Sequence, residues 1–244
     1  MKRRLDQLLV DRGLVESRTR AQALVMAGKV FSGERKMEKA GQQVAEDIAL
    51  EVRGQDHPWV SRGGLKLAHA LEHFAIDPAG AVAIDVGAST GGFTDVLIQG
   101  GAAKVYAVDV GHGQLAWRLR NDDRVIVLEK TNARHLSGEH VPEPADMVVC
   151  DASFISLKTV LPAAIAMVKT GGRLVALIKP QFEAGRGQVG KGGVVRDPEV
   201  HAAVCDDIRA WLDGIGGWSI DGIVQSPITG PEGNIEFLIS ARRL

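Results

Sequence analysis

The sequence predicts an α/β chain, with a doubly wound sheet of mainly parallel strands behind a smaller α+β unit. Three observations predict it. From residue 81 onward, short apolar segments alternate with segments of helical periodicity. A glycine-rich turn near the middle has an acidic residue at the end of each strand beside it, and the first fifty residues form a separate, cationic pattern of two short helices followed by short strands. At 244 residues and 45% apolar composition, the chain has material for one ordinary core and one small one.

In chain order, Leu5, Leu8 and Leu9 give a first amphipathic helix ending at Gly13. Ser17 is placed to cap a second helix, with Ala21, Leu24 and Val25 facing inward until Gly28 stops it. Val30-Phe31, a turn at Ser32-Gly33, Val44 and the alternating Ile48, Leu50 and Val52 then read as short strands. The net charge of the whole chain is -1, so any affinity for nucleic acid has to come from a local face. This cationic segment supplies one, although a solvated helical hairpin would show the same charges. Residues 1–53 are expected as the first unit, 54–62 as a Gly/Pro/polar linker and 63–244 as the second unit. Ser61 is expected to cap a helix running through Leu65, Leu67, Leu71 and Phe74 and carrying Lys66, with Arg62 at its head.

The central stretch AVAIDVGASTGGFTDVLIQGGAAKVYAVDVG forms the first half of a Rossmann-like sheet. Val82, Ile84 and Val86 make a buried strand, Gly87, Gly91 and Gly92 a tight turn, Phe93, Val96 and Leu97 a helix, and Val105 to Val108 a second strand ending at Asp109. In the dinucleotide fingerprint the second glycine lets the backbone approach a pyrophosphate; Ser89 stands there, and Asp85 just before the turn would repel a phosphate. Asp85 instead suits an ammonium group, and Asp109 the two hydroxyls of a ribose. A ligand with an amino acid at one end and an adenosine at the other is S-adenosylmethionine. A glycine turn needed only for close packing is the alternative.

Further on, His112 to Leu119 reads as a helix, Val125 to Leu128 as a strand, and Thr131-Asn132 as a turn where Asn132 could meet the adenine. Ala145 to Cys150 is a strand ending at Asp151, Leu157 to Val168 a helix, and Leu174 to Ile178 a strand ending at Lys179. Asp197-Pro198 opens a helix to Gly214, and strands at Ile220 to Val224 and Ile235 to Ile239 close the chain, the last carrying Glu236. Ligands of such sheets bind beyond the carboxyl ends of the strands, where Asp85, Asp109, Asp151 and Lys179 all fall. Gly185 to Gly192, GRGQVGKG, resembles a phosphate loop up to its lysine, but Gly192 replaces the magnesium-binding hydroxyl, which excludes nucleotide hydrolysis. With Arg186, Lys191 and Arg196 it is either a lid over RNA or flexible surface.

Some chemistry is excluded. Cys150 and Cys205 give neither a disulfide scaffold nor zinc spacing, so no metal is expected, and Cys150, adjacent to Asp151, should point away from the pocket. After the fourth strand Asp151-Ala152-Ser153-Phe154 lacks the prolines of amino-group methyltransferases. The first residues have no apolar signal-peptide core and no run is long enough for a membrane, so a cytoplasmic protein is expected, acting as a monomer.

The stretch RLDQLLVDRGLVESRTRAQALVMAGKVFSG resembles the S4 RNA-binding domain, which implies that Arg4, Arg18, Arg20 and Lys29 lie on a face gripping RNA backbone; Arg62 and Arg186 would extend it. Lys66, Asp151, Lys179 and Glu236, together with DVGASTGGFTD, resemble the Lys-Asp-Lys-Glu constellation of FtsJ-like ribose 2'-O-methyltransferases. With WVSRGGLKL, CDASFISL, LIKPQFE and GPEGNIEF, the whole chain resembles the TlyA (hemolysin A) family of ribosomal RNA methyltransferases. The resemblance implies a class I methyltransferase sheet and S-adenosylmethionine bound by Asp85, Gly87, Ser89, Gly91, Gly92, Phe93, Asp109, Asn132 and Asp151. It also implies ribosomal RNA, free or in a subunit, as partner, with a 2'-O-methylcytidine as product. The short N-terminus points to the branch modifying only large-subunit RNA. Lys179 is the candidate base, with Asp151 and Glu236 orienting the lysines. A buried ion-pair network without chemistry, a non-catalytic ribosome-binding factor and, from the family's name, a pore-forming haemolysin are the alternatives.

Overall fold

The computed structural model describes residues 2–15, 17–53 and 57–244, with the main chain only at Arg186 and Pro231. Of the expected linker, residues 54–56 therefore lie outside the described residues. The elements are, in order, β1 (Lys2–Arg4), α1 (Leu5–Asp11), α2 (Arg18–Met26), β2 (Val30–Ser32), β3 (Arg35–Lys36), β4 (Gln43–Ala45), β5 (Glu51–Val52), α3 (Gly63–His73), β6 (Val82–Val86), α4 (Gly92–Gln99), β7 (Lys104–Val108), α5 (Trp117–Arg120), β8 (Val125–Leu128), β9 (Ala145–Cys150), α6 (Leu157–Val160), α7 (Pro162–Ala166), β10 (Val168–Ile178), α8 (Pro180–Glu183), α9 (Pro198–Ile215), β11 (Trp218–Gln225) and β12 (Phe237–Arg243).

The large sheet has the order β11-β12-β10-β9-β6-β7-β8. Five strands from β8 to β10 run parallel, and β12 enters antiparallel between β10 and β11. Period-2 alternation divides the strand residues between two cores. Ala83, Val105, Met147, Val149, Val175 and Leu177 face Leu67, Leu71, Val96, Leu97 and Leu119 on α3, α4 and α5. Ile84, Val86, Val148, Cys150, Ala176 and Ile178 face Leu157, Leu161, Ile165, Val204, Ile208 and Leu212 on α6, α7 and α9. Burial on both faces explains the near-continuous apolar strands.

The first unit has its own core of Leu5, Leu8, Leu9, Ala21, Val25, Val30, Met37 and Val44. Ser17 caps α2 as expected, its Oγ accepting from Arg20 N at 3.2 Å. The pairing of β1 with β4 was not expected, because a run of exposed cations carries no strand pattern and forms one only through a partner forty residues away.

Five expectations on local structure need correction. The single helix over Leu157 to Val168 is two, since Pro162 cannot continue α6 and starts α7, and the chain enters β10 at Val168 through an irregularity that contains Gly171-Gly172. Of the helix over His112 to Leu119 only Trp117–Arg120 forms. Ser61 does not cap α3, whose first residue follows Arg62 with no side-chain cap. Glu236 lies just before β12, not within it, and the turn after β2 falls at Gly33-Glu34.

Candidate functional site

The carboxyl ends of β6, β9 and β10 and the loop that follows β7 line a cleft of about 590 Å³. Its floor is the turn after β6. Gly87 (φ +83°) lies so close to β9 that a Cβ there would sit 2.9 Å from both N and Cα of Ala152, so any side chain would push the two strand ends apart. Ser89 (φ +48°) follows in the left-handed region, and Gly91 (φ +94°) is the N-cap of α4. The turn presents Ser89 and the buried Phe93 to the cleft. Asp109, at the end of β7, holds this turn from the side, accepting from Ser89 N at 2.8 Å and from Gly111 N at 2.7 Å.

Asp85 sits lower than expected. Its side chain is wholly buried and faces α4, where Thr94 Oγ1 donates to Oδ2 at 2.6 Å, and Oδ1 has no hydrogen-bond partner. Burial away from water pushes this carboxyl up to about 7, with the Asp151 charge adding to the rise and the Thr94 hydrogen bond opposing it. The residue lies beneath the turn and not on the cleft wall.

Four charged side chains form one chain of ion pairs across the cleft's edge. Lys66, on the first turns of α3, donates to Glu236 Oε2 at 2.7 Å and lies 3.7 Å from Asp151 Oδ2. Lys179, at the end of β10, lies 2.6 Å from Asp151 Oδ1 and donates to Ser153 Oγ at 2.8 Å and to the main-chain oxygen of Asp151 at 3.2 Å. The 2.6 Å contact is an ion pair off the hydrogen-bond direction, since Asp151 Oδ1 has no aligned donor. Lys66, Lys179 and Glu236 are buried, and Asp151 keeps a fifth of its side chain exposed between the two lysines. Charges this buried persist only when paired.

Glycines bring these groups together from distant segments. A Cβ at Gly230 would lie 2.7 Å from Glu236 Cδ, so glycine there makes room for the carboxylate. A Cβ at Gly64 would meet the Trp59 side chain, and one at Gly92 would meet Ser61 Oγ, which lets the N-termini of α3 and α4 approach each other. Val60 N donates to Asp95 Oδ2 at 2.7 Å and ties the approach to α3 onto α4.

The other expected site residues scatter. Arg62 is exposed on the cleft rim. Asn132 turns its side chain to Arg134, accepting from its N at 3.1 Å and its Nε at 3.2 Å, and lines neither the cleft nor the small recess beside Asp109. In the first unit Arg4 and Arg18 converge on Asp6, which is wholly buried and accepts from Arg4 Nε (3.0 Å), Arg4 Nη2 (2.9 Å), Arg18 Nη2 (3.1 Å), Gln22 Nε2 (3.1 Å) and Gln7 N (2.9 Å). These donors, the Arg4 hydrogen bond foremost, hold the Asp6 carboxyl well below the usual range. Arg20 and Lys29 are exposed, and the Arg186 side chain lies outside the described residues.

Sequence reasoning missed Ser153, Gln114 and the end of α1. Val10, Asp11 and Gly13 form part of the cleft wall, where Gly13 (φ +64°) abuts Ala116, and no local pattern signals that contact. Phe154 is also unforeseen as a site feature, being 88% exposed at φ +63°, with its ring 4.9 Å from that of Phe182. Cys150 is buried on the opposite face and burial pushes its thiol up to about 12, which disfavours a thiolate nucleophile. No group of three or more metal-ligating side chains occurs among the described residues.

Comparison with known proteins bears on the same two units. Residues 3–47 match the S4 domain, and residues 59–243 match the FtsJ-like methyltransferase family. The 16S/23S rRNA (cytidine-2'-O)-methyltransferase TlyA of Mycobacterium tuberculosis is 49% identical over 98% of this chain and 89% of its own. Hemolysin A of Brachyspira hyodysenteriae is 40% identical over 96% of this chain and 98% of its own. A solved structure of a Streptococcus thermophilus protein that carries the hemolysin name is 43% identical with a TM-score of 0.77, covering 99% of this chain and 88% of that one. The magnesium protoporphyrin IX methyltransferase of Synechocystis, solved with bound S-adenosylhomocysteine, shares the fold alone (16% identity, TM-score 0.51, 75% of this chain and 84% of that one). From the S4 match ahead of the FtsJ-like match, and from relatives aligned along nearly its whole length, the chain belongs to the TlyA (hemolysin A) family of FtsJ-like methyltransferases.

Proposed function

We propose that this chain methylates the 2'-hydroxyl of a cytidine ribose in ribosomal RNA, using S-adenosylmethionine. One observation carries the reading: the Glu236–Lys66–Asp151–Lys179 chain of ion pairs lies at the strand ends beside a glycine turn flanked by carboxylates. The cytidine and the ribosomal RNA come from the name of the Mycobacterium tuberculosis relative, and an S4 unit in front of the sheet accords with an RNA substrate.

The residues of the turn fit S-adenosylmethionine and not a dinucleotide. Asp85 keeps an unpartnered Oδ1 beneath the turn, a position for an ammonium group, and Asp109 closes it on the other side, where two phosphates would meet two carboxylates. Asp109, already holding two amides, still has lone pairs for ribose hydroxyls. When bound, the cofactor supplies an electrophilic methyl on a sulfonium. The protein's part is to bring a poor nucleophile in line and remove its proton. Lys179 takes that proton. Asp151 orients Lys179 from one side and Lys66 from the other, while Glu236 fixes Lys66. Arg4, Arg18, Arg20, Lys29 and Arg62 hold the RNA backbone through charge, without reading sequence. The same reading has the chain act as a monomer in the cytoplasm, where ribosomes are.

Incubating purified ribosomal subunits, and their deproteinised RNA, with the protein and methyl-labelled S-adenosylmethionine tests this directly. Label on a single cytidine ribose is expected, and label absent from RNA, or carried on a base, would overturn it. No helix among the described residues is long and apolar enough to cross a membrane.

A further inference from the structure

We infer that Ser153 is a catalytic residue, relaying the proton of the ribose 2'-hydroxyl to Lys179. The inference rests on the reading of Lys179 as the base.

The geometry around Lys179 Nζ points to it. Three oxygens surround the nitrogen: Asp151 Oδ1 at 2.6 Å, the Asp151 main-chain oxygen at 3.2 Å and Ser153 Oγ at 2.8 Å. The charged lysine gives hydrogens to the main-chain oxygen and to Ser153 Oγ, and faces the carboxylate as an ion pair. To serve as a base the amine must first release one proton to solvent, and it then has two N–H groups and one lone pair. The main-chain carbonyl only accepts and takes one N–H, and the Asp151 carboxylate, an ion-pair partner off the hydrogen-bond direction, has no proton to give. The hydroxyl of Ser153 is the one neighbour that can donate, and the lone pair is therefore turned towards it. A proton from the cleft reaches that lone pair through Ser153.

Exposure agrees with this order. Lys179 is 6% exposed, whereas Ser153 is an exposed residue on the wall of the same cleft. The loop that aims Ser153 is held by more than Lys179. Its next residue, Phe154, sits at φ +63°, a conformation that costs a non-glycine residue about 1 kcal/mol or more. Glu183 binds the far end of the loop, accepting from Ser156 Oγ at 2.6 Å and from Leu157 N at 2.8 Å. Backbone strain in a loop held at its far end by the half-buried Glu183 and at its start by Lys179 marks a loop whose shape has a use.

In the transfer, the 2'-oxygen forms its bond to the methyl carbon as the sulfur–carbon bond breaks, and that electron pair stays on sulfur. The 2'-proton passes to Ser153 Oγ while the Ser153 proton passes to Lys179 Nζ. One positive charge leaves the sulfonium and one appears on Lys179, so charge and protons balance, and Ser153 ends as it began.

Full-length wild type, Ser153→Ala, Ser153→Thr and Lys179→Met are compared on ribosomal subunits under single turnover, with cofactor affinity and melting temperature measured on each preparation. Ser153→Ala is expected to lose roughly a hundredfold in rate, the scale of a general-acid–base step, at unchanged cofactor affinity and melting temperature. Ser153→Thr keeps the hydroxyl and should stay within about tenfold of wild type. Wild-type turnover by Ser153→Ala overturns the relay, as does an equal loss in Ser153→Thr or a loss that follows cofactor affinity or melting temperature. If Lys179→Met turns over normally, the base assignment itself fails; if it is inactive while Ser153→Ala is not, only the relay does.

Discussion

Replacing Asp85 by asparagine removes a charge for which the apo fold has no partner. The side chain is wholly buried, Thr94 Oγ1 satisfies one oxygen at 2.6 Å and the other is unpartnered. Burial raises the carboxyl from its ordinary 3.8 to about 7. The sign follows from proton counting. Between those two values the folded state binds more protons than the unfolded one, so stability falls as pH rises from about 4 to about 7, and the loss is complete above that. A rise of about three units corresponds to about 4 kcal/mol, an upper limit because the fold relaxes around the charged group. Asparagine keeps the shape and does not ionise. In the absence of ligand, Asp85→Asn should therefore gain stability relative to wild type between pH 5 and pH 8.5, by several degrees in melting temperature and at most roughly 8–16 °C. Cofactor affinity should move the other way, falling about tenfold or more at pH 7.5, the scale of a hydrogen bond to a charged group. Melting curves at the two pH values and calorimetric titration with S-adenosylmethionine read both. A difference between variant and wild type that does not change with pH refutes the buried-charge argument, and unchanged affinity removes Asp85 from the cofactor site.

Lys179→Met should lose at least about a hundredfold in single-turnover rate at near-normal cofactor affinity, because methionine accepts no proton. Its melting temperature should also fall, since Asp151 Oδ1 loses its 2.6 Å partner, and an activity loss no larger than the unfolded fraction would mean the lysine is structural. Gly230→Ala places a Cβ 2.7 Å from Glu236 Cδ and should displace that carboxylate from Lys66, lowering turnover about tenfold at a cost of about 1–3 kcal/mol; normal turnover would show that Glu236's position is not critical. Asp6→Asn should tighten RNA binding several-fold at fixed salt, by removing a carboxylate and freeing Arg4 and Arg18 for phosphate, and unchanged affinity would take the two arginines off the RNA face. The depressed Asp6 carboxyl stabilises the fold above pH ~4 and loses that effect as pH falls below it, so the variant's deficit in melting temperature should shrink on acidification; a deficit independent of pH would contradict the ion-pair account.

What could be read locally was read from the chain. The alternation of Val82, Ile84 and Val86, the caps at Ser17 and Asp197, and acids or lysines at the strand ends place the doubly wound sheet and the end where ligands bind, because a period, a cap and a turn need only neighbours in sequence. Asp151 and Lys179 follow from their strand ends, but their grouping with Lys66 and Glu236 rests on family resemblance, since nothing local links Lys66 to Glu236, 170 residues away. The periodicity runs through Pro162, but its missing N–H does not allow a continuous helix.

Composition, periodicity and turn residues thus determined the fold class, the cationic first unit and the strand ends that carry charge. Tertiary structure alone decided how those ends meet. It buried Asp85 under the turn, spent Asn132 on Arg134, drew Arg4 and Arg18 onto Asp6, and set Ser153 against Lys179. The physical reason is that each of these outcomes depends on strand order and on which atoms fill the space between elements. Which side of a strand end a carboxylate faces follows from a two-residue period; what it finds there depends on a helix or loop placed by the rest of the core.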